Sequence, residues 1–335
     1  MPAPTWPVWC SAQAPRSNPV NGCATSGART PIATDVRLLV VGGAGFIGSH
    51  LVDRLVVEGH TVDVVDDLST GSLANLASAR ALGGALKIHH LDACAPEFAS
   101  LVAMREPEAI YHLGWCPPGR GDASTSARAV HSTLHVLEAA RQHDVGKVVT
   151  AVPATALYGD VPARELPVKE GRESVPSGAD GVVARAVVEL LSVYRTRHDV
   201  EFTALALSCV YGTRQRPDGG VVAAFADALA QGTTAQLHGD GRQARDFVFI
   251  DDVVDAFVRA SRRGSGLVVN VGTGVLTSVR DLWRLMAGPA APAPQVAPAR
   301  PDDVQRLSLA LTRARIHLAW APWTDLEAGL ASLRA

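Results

Sequence analysis

Hydrophobic and polar positions change character at residue 36. Before it, "MPAPTWPVWCSAQAPRSNPVNGCATSGARTPIATD" is rich in Pro, Ala and Ser and lacks any period. Residues 1–35 therefore read as a disordered extension. After it, "VRLLVV" is a short unbroken apolar run, the pattern of a strand buried on both faces of a parallel sheet. "FIGSHLVDRLVVEG" then has helical spacing and stops at Gly59, and "TVDVVD" is a second strand. Further apolar runs at "AIYHLG", "KVVTAV" and "FTALAL" alternate with helical segments such as "ARAVHSTLHVLEAARQ". Strand and helix alternating in this way predict βαβ units and an α/β fold with a doubly wound, Rossmann-type parallel sheet. The C-terminal part is less regular. "QLHGDG", a Pro/Ala-rich linker at 288–301 and a terminal amphipathic helix predict a smaller, interleaved α/β lobe.

Composition narrows the function classes. The 335 residues carry a formal net charge of −2, which leaves no electrostatic footprint for nucleic acid or an anionic membrane. No run approaches the roughly 20 apolar residues of a membrane span. Five scattered cysteines without a C-x-x-C pair argue against a disulfide framework and a zinc site, and a reducing cytoplasm is the expected location. Only Lys87, Lys147 and Lys169 among the 31 basic residues are lysines, a bias that makes a Lys-to-Arg replacement easy to reach.

The first chemistry lies between the first strand and the first helix. "VVGGAGFIGSH" sets Gly42, Gly45 and Gly48 at G-x-x-G-x-x-G spacing. The first glycine suits a tight turn, the second close approach of a pyrophosphate, and the third close helix–strand packing. Asp66 ends the next strand, where a carboxylate accepts both adenosine ribose hydroxyls and repels a 2′-phosphate. NAD is expected in preference to NADP.

These residues, "VVGGAGFIGSHLVDRLVVEGHTVDVVDDLSTG", resemble the extended short-chain dehydrogenase/reductase family in its NAD-dependent sugar epimerase/dehydratase branch. "YHLGW", "YGD", "VYGTRQ", "LHGDGRQARDFVFIDDVVDAF" and "NVGTG" extend the likeness over nearly all of residues 36–335. The resemblance implies an NAD-binding domain over 36–205 and a mainly nucleotide-sugar-binding lobe over 206–335, with 246–275 returning to the first domain. It implies a cofactor set of Gly42, Gly45, Phe46, Ile47, Gly48, Asp66, Asp67, Ser69, Thr70, Gly71, Asp92, Ala93, Leu113, Gly114 and Arg185. Asp92 would touch the adenine, and Leu113 and Gly114 the nicotinamide side. Arg245 and Arg300 correspond to diphosphate-binding arginines, Asp303 to a residue near the nucleoside ribose, and Cys209 to a family asparagine. The helices "ARAVHSTLHVLEAARQ" and "VVARAVVELLSVYR" resemble the pair that forms a homodimer.

The family's proton-transfer triad is missing. Counted from "AVVELL", the Tyr position holds Gly181 and the Lys position Arg185. Counted back from Tyr158, the Ser/Thr position holds Ala154, and Ala129 replaces a second family asparagine. Tyr111, Tyr158, Tyr194 and Tyr211 each match a structural tyrosine. Thr155, His112 and Asp180 are the candidate substitutes for the base. Arg185 can hold the nicotinamide ribose, but its permanent charge excludes a proton relay at neutral pH. Gly181 is expected to open extra space beside the nicotinamide. His131, His135 and Glu138 share a helix face and read as a solvated or interface face rather than a metal site. Two functions remain open: an epimerase or dehydratase of a UDP- or dTDP-linked sugar with altered proton-transfer groups, and a catalytically silent homologue that binds NAD and such a nucleotide sugar as a partner or regulator.

Overall fold

The computed structural model describes residues 36–114, 123–172, 176, 178–288, 293–300 and 303–333; the 1–35 extension lies outside them. The first six strands are Arg37–Val41 (β1), Thr61–Asp66 (β2), Leu86–His90 (β3), Ala109–His112 (β4), Lys147–Pro153 (β5) and Phe202–Leu207 (β6). Cys209–Tyr211 (β7), Gln236–His238 (β8), Ala244–Arg245 (β9), Phe247–Phe249 (β10) and Leu267–Val271 (β11) follow. Thr277–Ser278 (β12), Gln295–Ala297 (β13) and Arg306–Leu307 (β14) come last. The helices are Phe46–Val57 (α1), Ala77–Ala81 (α2), Glu97–Arg105 (α3), Ala123–Gln142 (α4), Ala154–Tyr158 (α5), Ala179–His198 (α6), Val221–Gln231 (α7), Ile250–Ala260 (α8), Val279–Ala287 (α9) and Leu326–Ser332 (α10).

The central sheet has seven strands in the order β11-β6-β5-β4-β1-β2-β3. Every pair in it is parallel, the doubly wound arrangement that the alternating pattern predicts. Its inner strands read as continuous apolar runs because helices cover both faces. On one face Leu51 and Leu55 of α1 and Val253 and Phe257 of α8 pack on Val40, Val64 and Tyr111. On the other, Phe98, Val136, Leu137, Val187 and Leu191 pack on Leu39, Ile110 and Val148. α1 stops where its pattern ends, at Gly59, whose φ of +86° suits glycine.

β6 carries the central sheet two residues past 205, and β11 returns to its edge after the chain has built the second lobe. That lobe packs Phe225, Leu237, Trp283 and Met286 around strands of two or three residues. Its last segment is fastened to α8. The Asp252 carboxylate accepts from the Trp323 and Thr324 amides, each at 3.2 Å, while Trp320 Nε1 donates to the Asp252 carbonyl at 2.9 Å. No described helix is long and apolar enough to cross a membrane.

Candidate active site

The glycine loop connects β1 to α1 at the C-terminal end of the sheet. Gly42 has φ +78° and donates to the Val65 carbonyl at 2.8 Å, tying the loop to β2. A Cβ at Gly42 would lie 2.8 Å from the Leu113 carbonyl carbon, and one at Gly48 would run into the Gly42 carbonyl. Neither position admits a side chain. Gly45 caps α1 without a side-chain bond, and no acid stands in the first turn, so the amides there remain available to an anion. Phe46 and Ile47, which open α1, are half-buried against the core beneath.

Asp66 sits beside this loop. Its Oδ2 accepts from the Ala44 amide and its Oδ1 from the Leu68 amide, both at 2.8 Å. Burial pushes its pKa up, while these two amide bonds oppose the shift. Each oxygen keeps a lone pair for a ribose hydroxyl. A Cβ at Gly71 would meet the Ala44 backbone and Asp66 Oδ1, both at 2.9 Å, so this turn lies folded against the glycine loop. Asp67 Oδ1 accepts from the Ser69 amide (3.0 Å) and hydroxyl (2.6 Å); Thr70 is exposed at the tip. These residues fit a dinucleotide: a cradle closed to any Cβ, uncapped amides, and a carboxylate placed for ribose.

An unforeseen residue completes this end. Arg128 of α4 reaches Asp67 Oδ2 at 2.7 Å and Asp92 Oδ2 at 3.3 Å, bridging the loops after β2 and β3. The Cys94 amide donates to Asp92 Oδ1 at 2.9 Å, and Ala93 beside it is buried. Leu113 and Gly114 follow β4, the Leu113 amide bonding to the Val41 carbonyl at 2.9 Å.

The three triad positions lie on α5 and α6. Ala154 is fully buried at the start of α5, and Thr155 beside it is half-buried. Arg185 is exposed on α6, one turn after Gly181. Among the described residues, the extra space expected at Gly181 is not open at the position of a Cβ. Gly181 is buried, and a Cβ there would lie 3.1 Å from both the Ala156 carbonyl oxygen and Pro176 Cβ. Pro176 packs against the place where a side chain would begin.

His112 does not fit the role of substitute base. It is enclosed at the end of β4, its Nε2 3.2 Å from the Thr133 hydroxyl and 3.4 Å from that of Ser132. Burial lowers its pKa to about 4, so the neutral ring is a weak proton acceptor held away from solvent. Asp180 lies in the first turn of α6, where a carboxylate favours the helix end. His131 and His135 stack edge to face at 4.4 Å, while Glu138 turns to Arg141, at 2.9 and 2.6 Å.

In the second lobe, Arg245 on β9 is buried and its Nη2 donates to Asp303 Oδ1 at 2.5 Å. Its neighbour Asp246, not singled out from the sequence, fixes the local backbone. It accepts from the Thr273 amide and hydroxyl (both 2.7 Å), the Gly274 amide (2.8 Å) and the Leu309 amide (3.1 Å). Burial pushes the Cys209 thiol up to about 11, with the Arg245 charge acting in the opposite direction. Arg245, Asp303 and Cys209 thus come together. Arg300 lies on the segment that leads to Asp303, but its guanidinium is turned to His238 Nε2 at 3.1 Å.

The chain is similar to known proteins over most of its length. The model of the NAD dependent epimerase/dehydratase family matches residues 38–272. The chain is 42% identical to the UDP-glucose 4-epimerase of Mycolicibacterium smegmatis over 312 residues, 88% of this chain and 96% of that protein. The UDP-glucose 4-epimerase of Thermotoga maritima, solved with UDP-glucose, superposes with a TM-score of 0.81 at 32% identity, covering 88% of this chain and 96% of that one. The UDP-glucose 4-epimerase of Thermus thermophilus, solved with NAD, gives 0.81 at 30% identity over 90% and 99%.

Proposed function

The chain belongs to the NAD dependent epimerase/dehydratase family and is an NAD-dependent enzyme of that family; from this premise we propose that it epimerises a UDP-linked hexose at C4. The observation that carries the choice is the 42% identity along 96% of a UDP-glucose 4-epimerase. NAD supplies the acceptor and donor of the C4 hydride. The loop of Gly42, Gly45 and Gly48 and the first turn of α1, opened by Phe46 and Ile47, hold its pyrophosphate. Asp66 binds the adenosine ribose, and the turn of Ser69, Thr70 and Gly71 borders it. Asp67, Asp92 and Ala93, with Arg128, form the adenine wall. Leu113 and Gly114 flank the nicotinamide, and Arg185 holds its ribose.

Arg245 grips the sugar diphosphate, because a guanidinium presents paired donors to phosphate oxygens and keeps its charge. Asp303 and Cys209 border the nucleotide, and Arg300 swings from His238 to the second phosphate. The C4 hydroxyl proton leaves through the Thr155 hydroxyl to water as the hydride departs, since Ala154, Gly181 and Arg185 offer no base. It returns to the C4 oxygen by the same route as the hydride comes back. Missing general-base assistance costs about 10²–10⁴ in rate, so turnover is slow. α4 and α6 pair across a homodimer, where Val182 and Val193 of α6 are exposed in the single chain. The free thiols Cys94 and Cys209 suit a reducing cytoplasm.

The test is proton NMR of the purified protein with NAD and UDP-glucose. Growth of UDP-galactose anomeric signals supports the proposal. Binding of NAD and UDP-glucose with no product from UDP-, dTDP- or GDP-hexoses would make the protein a silent binder.

A further inference from the structure

The end of the sheet opposite the glycine loop holds a cavity of about 350 Å³, bordered by the N-terminal ends of β1, β4 and β5. Leu38, Leu55, Ala109 and Val258 make an apolar wall. Three buried polar side chains, His60, Tyr111 and Lys147, share the lining. Such groups are ordinarily hydrogen-bonded, and leaving one unpaired costs about 1–3 kcal/mol. Here the His60 Nδ1 is buried without a partner. The Tyr111 hydroxyl faces Ser261 without a hydrogen bond of ordinary geometry.

Lys147 is the more telling group. Its Nζ spends one hydrogen on the Arg263 carbonyl at 2.7 Å. Glu201, the carboxylate whose charge supports it, is already engaged by Arg195 Nε at 3.2 Å. Burial pulls the ammonium down to about 8, against the opposing charge of Glu201. Glu108, Glu201 and Arg262 also line the cavity, and Glu58 Oε2 stands 3.8 Å from His60 Nε2.

All three buried groups can donate: the ammonium and phenol directly, and His60 Nδ1 in one tautomer. A partner that only accepts, and that carries negative charge, meets all of them. The apolar wall disfavours a hydrated inorganic ion, and the volume falls at the small end of ligand pockets. We propose that this cavity binds a small organic carboxylate with an apolar body. Its carboxylate lies against Lys147 and the Tyr111 hydroxyl, and its body lies against Leu38, Leu55 and Val258. The site stands apart from the glycine loop and Arg245, so it is independent of the epimerase reading.

Benzoate is the probe, with benzyl alcohol as its uncharged counterpart, followed by saturation-transfer NMR on the full chain. Benzoate is expected to bind saturably in the millimolar range or tighter, at least tenfold more tightly than benzyl alcohol. Saturating NAD and UDP-glucose should leave that binding unchanged. Lys147→Met should weaken benzoate at least tenfold while NAD affinity, which reports folding, is retained. Val258→Phe, which fills the cavity from α8, should do the same and serves if Lys147→Met misfolds. Absence of saturable benzoate binding, equal binding by the folded variants, or displacement by NAD overturns the proposal.

Discussion

Arg245 and Asp303 meet at 2.5 Å across 58 residues of chain, joining β9 to the segment that follows Arg300. The arginine side chain is only 9% exposed, so its charge is held where a diphosphate would be desolvated with it. Arg245→Ala should weaken UDP binding by roughly 10- to 100-fold, the scale of one or two charge-assisted hydrogen bonds. NAD affinity should stay within about twofold. Calorimetry with each ligand checks this, and a parallel loss of both would make Arg245 a support of the fold.

Asp66 makes NAD binding sensitive to acid. Its carboxylate must be ionised to accept two ribose hydroxyls, and burial raises its pKa from the ordinary aspartate value. NAD affinity should therefore fall on acidification at a higher pH than an exposed aspartate would produce. Asp66→Asn should bind NAD about tenfold more weakly and lose that dependence. The wild type should favour NAD over NADP by at least about tenfold. A titration that shows equal affinities contradicts the assignment.

His112 affects stability instead of catalysis. Its pKa falls from 6.5 to about 4 on burial, so the unfolded chain takes up the proton first as pH drops. Stability present above pH 6.5 should decline as pH falls towards about 4, by up to roughly 3 kcal/mol in total. Urea unfolding across this window measures the slope, and His112→Asn should flatten it. No step in kcat near pH 6.5 should be assignable to this ring.

Gly181→Tyr alone should not restore a catalytic tyrosine. The new side chain would start 3.1 Å from the Ala156 carbonyl and Pro176, so one of them must give way. Overpacking of this kind costs about 1–3 kcal/mol, so Tm should fall and kcat should not rise. A stable variant with faster turnover would show that Pro176 yields easily.

The central sheet was legible because its strands are unbroken apolar runs and its helices have clear periods. Gly42, Gly45, Gly48 and Asp66 were legible because one strand–turn–helix unit holds the loop and the next strand brings the acid to it. Arg128 was not, since its partners Asp67 and Asp92 lie 61 and 36 positions away in sequence and only the folded sheet aligns them. The filled space at Gly181 depends on where Pro176 packs, which no local pattern encodes. β9, β12 and β14 have two residues each, too few for an alternating pattern to appear. The burial that disqualifies His112 likewise arises from Ser132 and Thr133 on a helix distant in sequence.

The most direct test of hydride transfer uses UDP-glucose carrying deuterium at C4, converted in ordinary water with NAD present. The expected product is UDP-galactose that retains the deuterium at C4, because the hydride leaves and returns without meeting solvent. Product with hydrogen at C4, or no product while both ligands bind, would contradict it.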